Sequence, residues 1–195
     1  GCWQDKKPLS FQGKHYTFTL MTPEFSPPPL ARPAIPVEIA AVNPYMLRLA
    51  GEVCDGVVLH SLTSPKYFRE VILPNLQSGA ARAGRSLEGF QVRGGGFTAT
   101  GATAQETAQA REAVRRRISF YASTRTYKGV LDTHGWGDLC LKLHEMSVNG
   151  QWQEMARQVS DEVLDTFCVA APYGEIADRI RERYQGHATV VNLEM

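Results

Sequence analysis

The chain has little of several things that would announce a function directly. It has no charge excess, with 21 basic against 20 acidic residues among 195, which argues against a general binder of nucleic acid or anionic membrane. It has only four cysteines, Cys2, Cys54, Cys140 and Cys168, none in a CxxC or a paired metal spacing, so neither a disulfide framework nor a zinc module is indicated. Cys54 and Cys168 sit among apolar residues, as buried reduced thiols do. His134 and His144 have no third ligand at metal spacing, and no metal site is expected. No apolar run approaches the ~20 residues of a membrane span, and no secretory segment is visible, so a cytoplasmic setting is expected. There is no G-x-G-x-x-G, no phosphate loop, no nucleophile elbow and no solenoid repeat.

What is present is organised around residues 36–60. Val37 to Val42 is an apolar run broken only by Glu38, as expected of a strand covered on both faces. Asn43 can cap a helix, and Pro44 suits its first position, where the missing N–H costs nothing. Met46, Leu47, Ala50 and Val53 recur at helical spacing, Asp55-Gly56 ends the segment, and Val57 to His60 reads as the next strand. So compact a β-α-β unit implies parallel strands with a right-handed crossover. The turn Ala41-Val42-Asn43 then lies at the carboxyl end of a strand and the amino end of a helix, where free N–H groups can hold an anion.

Around this unit, residues 10–20 alternate aromatic and polar residues about Gly13 and predict a hairpin. Residues 22–36 carry six prolines and predict an extended loop. Ser64 caps a helix reaching about Ala83, which Pro74 should kink or break. Phe90 to Thr100 predicts a third strand, with Gly94-Gly95-Gly96 marking a bulge or close packing rather than a ligand contact. Thr103 and Glu106 have capping-box spacing and open a helix to about Tyr121, whose run Arg115-Arg116-Arg117 is expected to face solvent. Residues 122–150 read as irregular, 151–157 and the segment from Ser160 as helices, Phe167 to Ala171 as a connector. Pro172 to Tyr184 reads as an amphipathic helix and Ala188 to Leu193 as the last strand. Glu38 is expected to pair with a buried arginine such as Arg93. The order β-α-β-α-β-α-(insert)-α-β makes an open α/β sheet or half of a (β/α)₈ barrel.

Four segments together resemble the luciferase-like monooxygenase superfamily, and within it the deazaflavin (F420)-dependent oxidoreductases. They are Ile35 to Ala41 (Ile-Pro-Val-Glu-Ile-Ala-Ala), Met46 to Gly56 (Met-Leu-Arg-Leu-Ala-Gly-Glu-Val-Cys-Asp-Gly), Phe120 to Tyr127 (Phe-Tyr-Ala-Ser-Thr-Arg-Thr-Tyr) and Gly174 to Tyr184. The resemblance implies an α/β chain forming the carboxyl-terminal half of a (β/α)₈ (TIM) barrel of bacterial-luciferase type. In it, residues 1–35 are an insertion hairpin and Pro-rich segment. Residues 36–195 are the last four β/α units, with a helical insert at about 122–166. Gly1 to Lys6 reads as the end of a helix, and the expectation is a piece of a longer protein whose missing half carries the acid/base groups.

The resemblance further implies coenzyme F420, or alternatively FMN, as cofactor and a small organic substrate. No nucleic-acid or membrane partner is expected. A homo-oligomer, or association with the absent half, is. Ala40, Ala41, Val42 and Asn43 would approach the flavin and its phosphate tail through backbone amides, and relatives often carry glycine where this chain has Val42 or Asn43. His60 and Ser61 end the next strand on the face where barrel chemistry occurs and are the candidate substrate contacts, His60 also the candidate catalyst. Ser123, Thr124 and Tyr127 could line a substrate pocket or serve as caps and loop ties. A non-catalytic luciferase-fold protein is the alternative reading.

Overall fold

The computed structural model describes residues 7–26, 28 and 35–193, in two units, Gly1–Pro36 and Val37–Met195. In the first, β1 (Phe11–Gln12) pairs antiparallel with β2 (Thr17–Phe18), placing Phe11 opposite Phe18. This is the expected hairpin. The Pro-rich segment is not wholly irregular, because Pro23–Phe25 forms a 3₁₀ turn, a geometry that the fixed φ of Pro23 suits. Pro27, Pro29 and Pro33, and the helix end expected at Gly1 to Lys6, lie outside the described residues.

The second unit is an α/β layer built on parallel pairing. β3 (Glu38–Ala40), β4 (Gly56–Val58), β5 (Gln91–Gly94) and β8 (Val190–Val191) form one sheet in that order, every neighbouring pair parallel. β6 (Phe97–Ala99) and β7 (Cys168–Ala170) form a second parallel pair. Helix α1 (Pro44–Val53) joins β3 to β4, and Leu47, Ala50 and Gly51 form its buried face, as the apolar spacing requires. Each fully buried leucine of this kind contributes about 1.5–3 kcal/mol. Glu38 and Arg93 form an ion pair, but the arginine is not the buried one expected, with 40% of its side chain exposed. They meet across the central strand because Gly56, opposite Glu38, places no side chain between them.

Several expectations are corrected. Pro74 does not end its helix. The segment runs from α2 (Pro65–Tyr67) through a π turn at Phe68–Ile72 into α3 (Leu73–Arg82). The Leu73 N–H reaches back five residues to the Phe68 carbonyl, and this wider turn makes room for the proline ring, which an α-helical carbonyl would obstruct. The single third strand is two, β5 and β6, separated by Gly95 at φ 158°, so the sheet divides there. The three glycines are packing devices. A Cβ at Gly95 would overlap the Asn192 carbonyl and one at Gly96 the Tyr184 hydroxyl.

Residues 122–150 are not irregular. After α4 (Ala104–Ala122) and a 3₁₀ turn (Arg125–Tyr127), α5 (Lys128–Asp132) and α6 (Gly137–Val148) bury Val130, Leu131, Cys140 and Leu143. Gly135 at φ 78° breaks the pattern between them, which is why no long helical period is visible. α7 (Trp152–Met155) and α8 (Asp161–Phe167) follow. The presumed connector after Phe167 is β7, entered directly from α8 and too short for alternation to show. The helix read from Pro172 begins only at Ile176, as α9 (Ile176–Tyr184).

The run Arg115-Arg116-Arg117 does not all face solvent. Arg115 has 13% of its side chain exposed and binds Asp161, Glu112 and the Val159 carbonyl, tying α4 to the start of α8. Arg117 lies over the Phe97 ring, 5.4 Å from its centre. Cys54, Cys140 and Cys168 are buried free thiols, and burial pushes the Cys168 thiol up to about 11. Among the described residues no helix is long and apolar enough to cross a membrane.

Candidate functional site

β3 and β4 run parallel and end side by side, so the residues that follow them emerge on one rim of the sheet. There a cleft of about 370 Å³ is lined by Ala40, Ala41, Val42 and Asn43 from the first strand end and by Val58, Leu59 and His60 from the second. Met46 of α1 and the pair Thr126 and Tyr127 from the 3₁₀ turn complete it. The structure therefore brings together Ala40, Ala41, Val42, Asn43 and His60. Ser61 does not line the cleft. Its carbonyl faces the glycine run, 3.7 Å from where a Gly96 Cβ would stand.

The turn is built to leave amides open. Ala41 continues the ladder by donating to the Val58 carbonyl at 3.1 Å. Asn43 occupies the N-cap backbone position of α1, yet its side chain makes no capping bond. It donates instead to the Thr126 carbonyl at 3.1 Å. In consequence the N–H groups of Val42, Asn43, Tyr45 and Met46 make no hydrogen bond to a described residue. They share the end of a ten-residue helix whose dipole favours negative charge. No Asp or Glu lines the cleft to oppose an anion.

His60 is a fixed wall. Its Nδ1 accepts the Leu62 N–H at 3.0 Å, so the neutral ring carries its proton on Nε2. The ring packs against Tyr121 edge-on and against Tyr127 at a tilt, both 4.6 Å between ring centres. Burial, reinforced by Tyr121, raises the Tyr127 phenol above its ordinary range, which keeps it a neutral donor. Of the other two loop candidates, Ser123 is buried and donates to the Phe120 carbonyl at 2.7 Å, and Thr124 does not line the cleft. The arrangement can hold an anionic or planar group by backbone amides and aromatic faces.

Sequence reasoning missed the support behind the turn. Tyr67, 1% exposed, donates its hydroxyl to the Val42 carbonyl at 3.1 Å. It lies on a helix two elements away, and no local pattern announces that contact. Met46 belongs to a helical stripe in the sequence, and its place next to a strand-end turn is the signal that it lines the cleft.

The chain is similar to known proteins. The sequence matches the family model described as luciferase-like monooxygenase over residues 1–189. An uncharacterized protein of Mycobacterium tuberculosis is 44% identical over 184 residues, covering 94% of this chain and 54% of that protein. The 5,10-methylenetetrahydromethanopterin reductase of Archaeoglobus fulgidus is 28% identical over 190 residues, covering 95% of the chain and 54% of the relative. Among solved structures, the coenzyme F420-dependent tetrahydromethanopterin reductase of Methanopyrus kandleri superposes with a TM-score of 0.72 at 23% identity, over 98% of this chain and 53% of that one. The chain thus spans about half the length of the curated relatives it matches.

Proposed function

The chain belongs to the luciferase-like monooxygenase family, and from that premise we propose that it is part of a deazaflavin-dependent oxidoreductase acting on a small organic substrate. The cleft at the ends of β3 and β4 would hold the phosphate-bearing side of coenzyme F420, with FMN the alternative occupant. One observation carries this reading: Val42, Asn43 and Met46, whose N–H groups make no hydrogen bond to a described residue, line a cleft free of carboxylates. When bound, the cofactor supplies the hydride chemistry, and the protein supplies position and surroundings. Here the amides would take the anionic end, while Met46, Val58 and Leu59 would exclude water along the apolar wall. His60 and Tyr127 would set the lateral edge, the His60 ring as a fixed wall and the Tyr127 hydroxyl as a donor.

The relatives named as reductases support this class of activity, and their greater length supports a barrel completed by further strands. β3 and β7 each pair on one side only among the described residues, and such edges recruit strands. We propose that another half, from the same gene product or from a second copy, closes the sheet into a (β/α)₈ barrel and contributes the acid/base groups. Buried reduced thiols fit a cytoplasmic setting. A non-catalytic luciferase-fold protein is the second reading, and the anchoring of His60 Nδ1 by the Leu62 N–H favours it, because that nitrogen is not available as a base.

The test is titration of the natural gene product carrying this sequence with coenzyme F420 and, separately, with FMN, followed by absorbance and fluorescence. Saturable binding of F420 is expected. Binding of neither would overturn the oxidoreductase reading and leave the non-catalytic one. Sedimentation of the 195-residue segment alone should show association. A stable monomer would count against the open-edge reading.

A further inference from the structure

The Val42–Asn43 peptide is gripped from two sides by groups that lie outside the turn's own backbone. On the buried side the Tyr67 hydroxyl donates to the Val42 carbonyl at 3.1 Å. Burial raises the Tyr67 phenol above its ordinary range, so it stays protonated and remains a donor. On the other side the Asn43 side-chain amide donates to the Thr126 carbonyl. A peptide is planar, and in the trans form its N–H points opposite to its C=O. Fixing the Val42 carbonyl toward the buried Tyr67 therefore fixes the Asn43 N–H away from it. Asparagine at an N-cap ordinarily folds its side chain over the N–H groups of the first turn. Here its engagement with Thr126 keeps those groups uncovered. Two hydrogen bonds thus do opposite halves of one task, one aiming an amide and one withdrawing a competing cap.

We propose that Tyr67 and the Asn43 side chain are positioning residues that hold the Val42–Asn43 turn with its amides preset for an anionic ligand. The proposal rests on the reading that this turn receives the phosphate-bearing end of coenzyme F420. Neither side chain needs to touch the reacting atoms. Their effect is preorganisation, since a turn already ordered before binding does not lose that freedom on binding.

Two variants of the natural gene product test this. Tyr67→Phe removes one hydroxyl while keeping the ring, and its F420 dissociation constant is expected to rise about tenfold, one hydrogen bond's worth of orientation. Asn43→Ser releases Thr126 and supplies a hydroxyl that can cap the helix. It should bind F420 more weakly while its unfolding temperature is unchanged or higher. A side chain needed only for stability would move both quantities the same way. Dissociation constants within twofold of wild type in both variants would overturn the proposal.

If the wild-type protein binds no F420, the functional reading fails by itself. The positioning claim is then decided by the Val42 and Asn43 amide resonances of the ligand-free protein. Exchange broadening confined to them in Tyr67→Phe supports it, and unchanged resonances overturn it.

Discussion

Helix α1 meets the rest of the protein in two ways along its length. Its inner face is closed against α3 almost backbone to backbone. A Cβ on Gly79 would overlap the Arg48 carbonyl, and one on Gly51 would overlap the Leu76 carbonyl. Its amino end, four residues earlier, opens onto a cleft of about 370 Å³ with backbone amides uncommitted. The difference teaches why the turn can serve as a site. On the proposed reading, a helix packed this closely at its middle would resist displacement by a ligand at its end. On that reading the glycines at the seam support the turn as much as the residues that line the cleft.

The largest effect is expected from breaking the closed side. Gly79→Leu forces a side chain into the Arg48 backbone and should destabilise the protein by about 3 kcal/mol or more, read from denaturant unfolding, because the obstruction is main chain that cannot rotate away. Leu47→Ala, on a fully buried residue, should cost about 2–5 kcal/mol by the same measurement. Neither outcome depends on what the cleft binds. An equal loss from a change at exposed Tyr45 would contradict the contrast between the two ends.

The open side should respond in binding rather than stability. Met46 is 37% exposed, and Met46→Trp should narrow the cleft and weaken F420 binding by about tenfold, as the loss of a little over 1 kcal/mol would, with little change in unfolding temperature. Thiol labelling sharpens the same comparison. In a Cys2→Ser background, Cys54, Cys140 and Cys168 should react slowly with a disulfide reagent at pH 8, since all three are buried and burial holds the Cys168 thiol at about 11. A cysteine introduced as Met46→Cys should react at once.

The smallest effect is a pH dependence behind the cleft. Ser64 and His134 Nε2 lie 2.8 Å apart, and the His134 ring stacks on Trp136, 4.7 Å between centres. Burial lowers the His134 imidazole below its ordinary value of 6.5, and Lys66 adds to the shift. The folded protein thus binds that proton less readily than the unfolded chain. The resulting stability is present above about pH 6.5 and is lost as pH falls through the folded value. Unfolding temperature should therefore decline below that pH more steeply in wild type than in His134→Gln. Identical slopes would remove His134 as the cause.

The legible parts of this protein were local. Asn43-Pro44 marked the start of α1, Ser64 and Thr103 marked caps that the structure shows accepting from the Tyr67 and Glu106 N–H groups, and the glycine run marked close packing. What escaped were elements too short or too interrupted to show a period, namely β7 and the pair α5 and α6. Pro74 misled because its breaking power assumes an α turn, and the π turn before it removes the obstruction. Arg115 was placed on a solvent face because a run of charge says nothing of which neighbour will arrive to pair with it.

By itself, then, the sequence determined the β-α-β frame, the parallel strands and the turn at 40–43, because these follow from spacings of a few residues and from the fixed geometry of proline and glycine. Only the tertiary structure decided that Asn43 would bind Thr126 rather than cap its helix, that Tyr67 would hold the Val42 carbonyl, and that His60 would be locked between two tyrosines. Those contacts join residues 25 to 83 positions apart, and nothing in a local pattern records which distant partner a polar group will meet when the chain closes on itself.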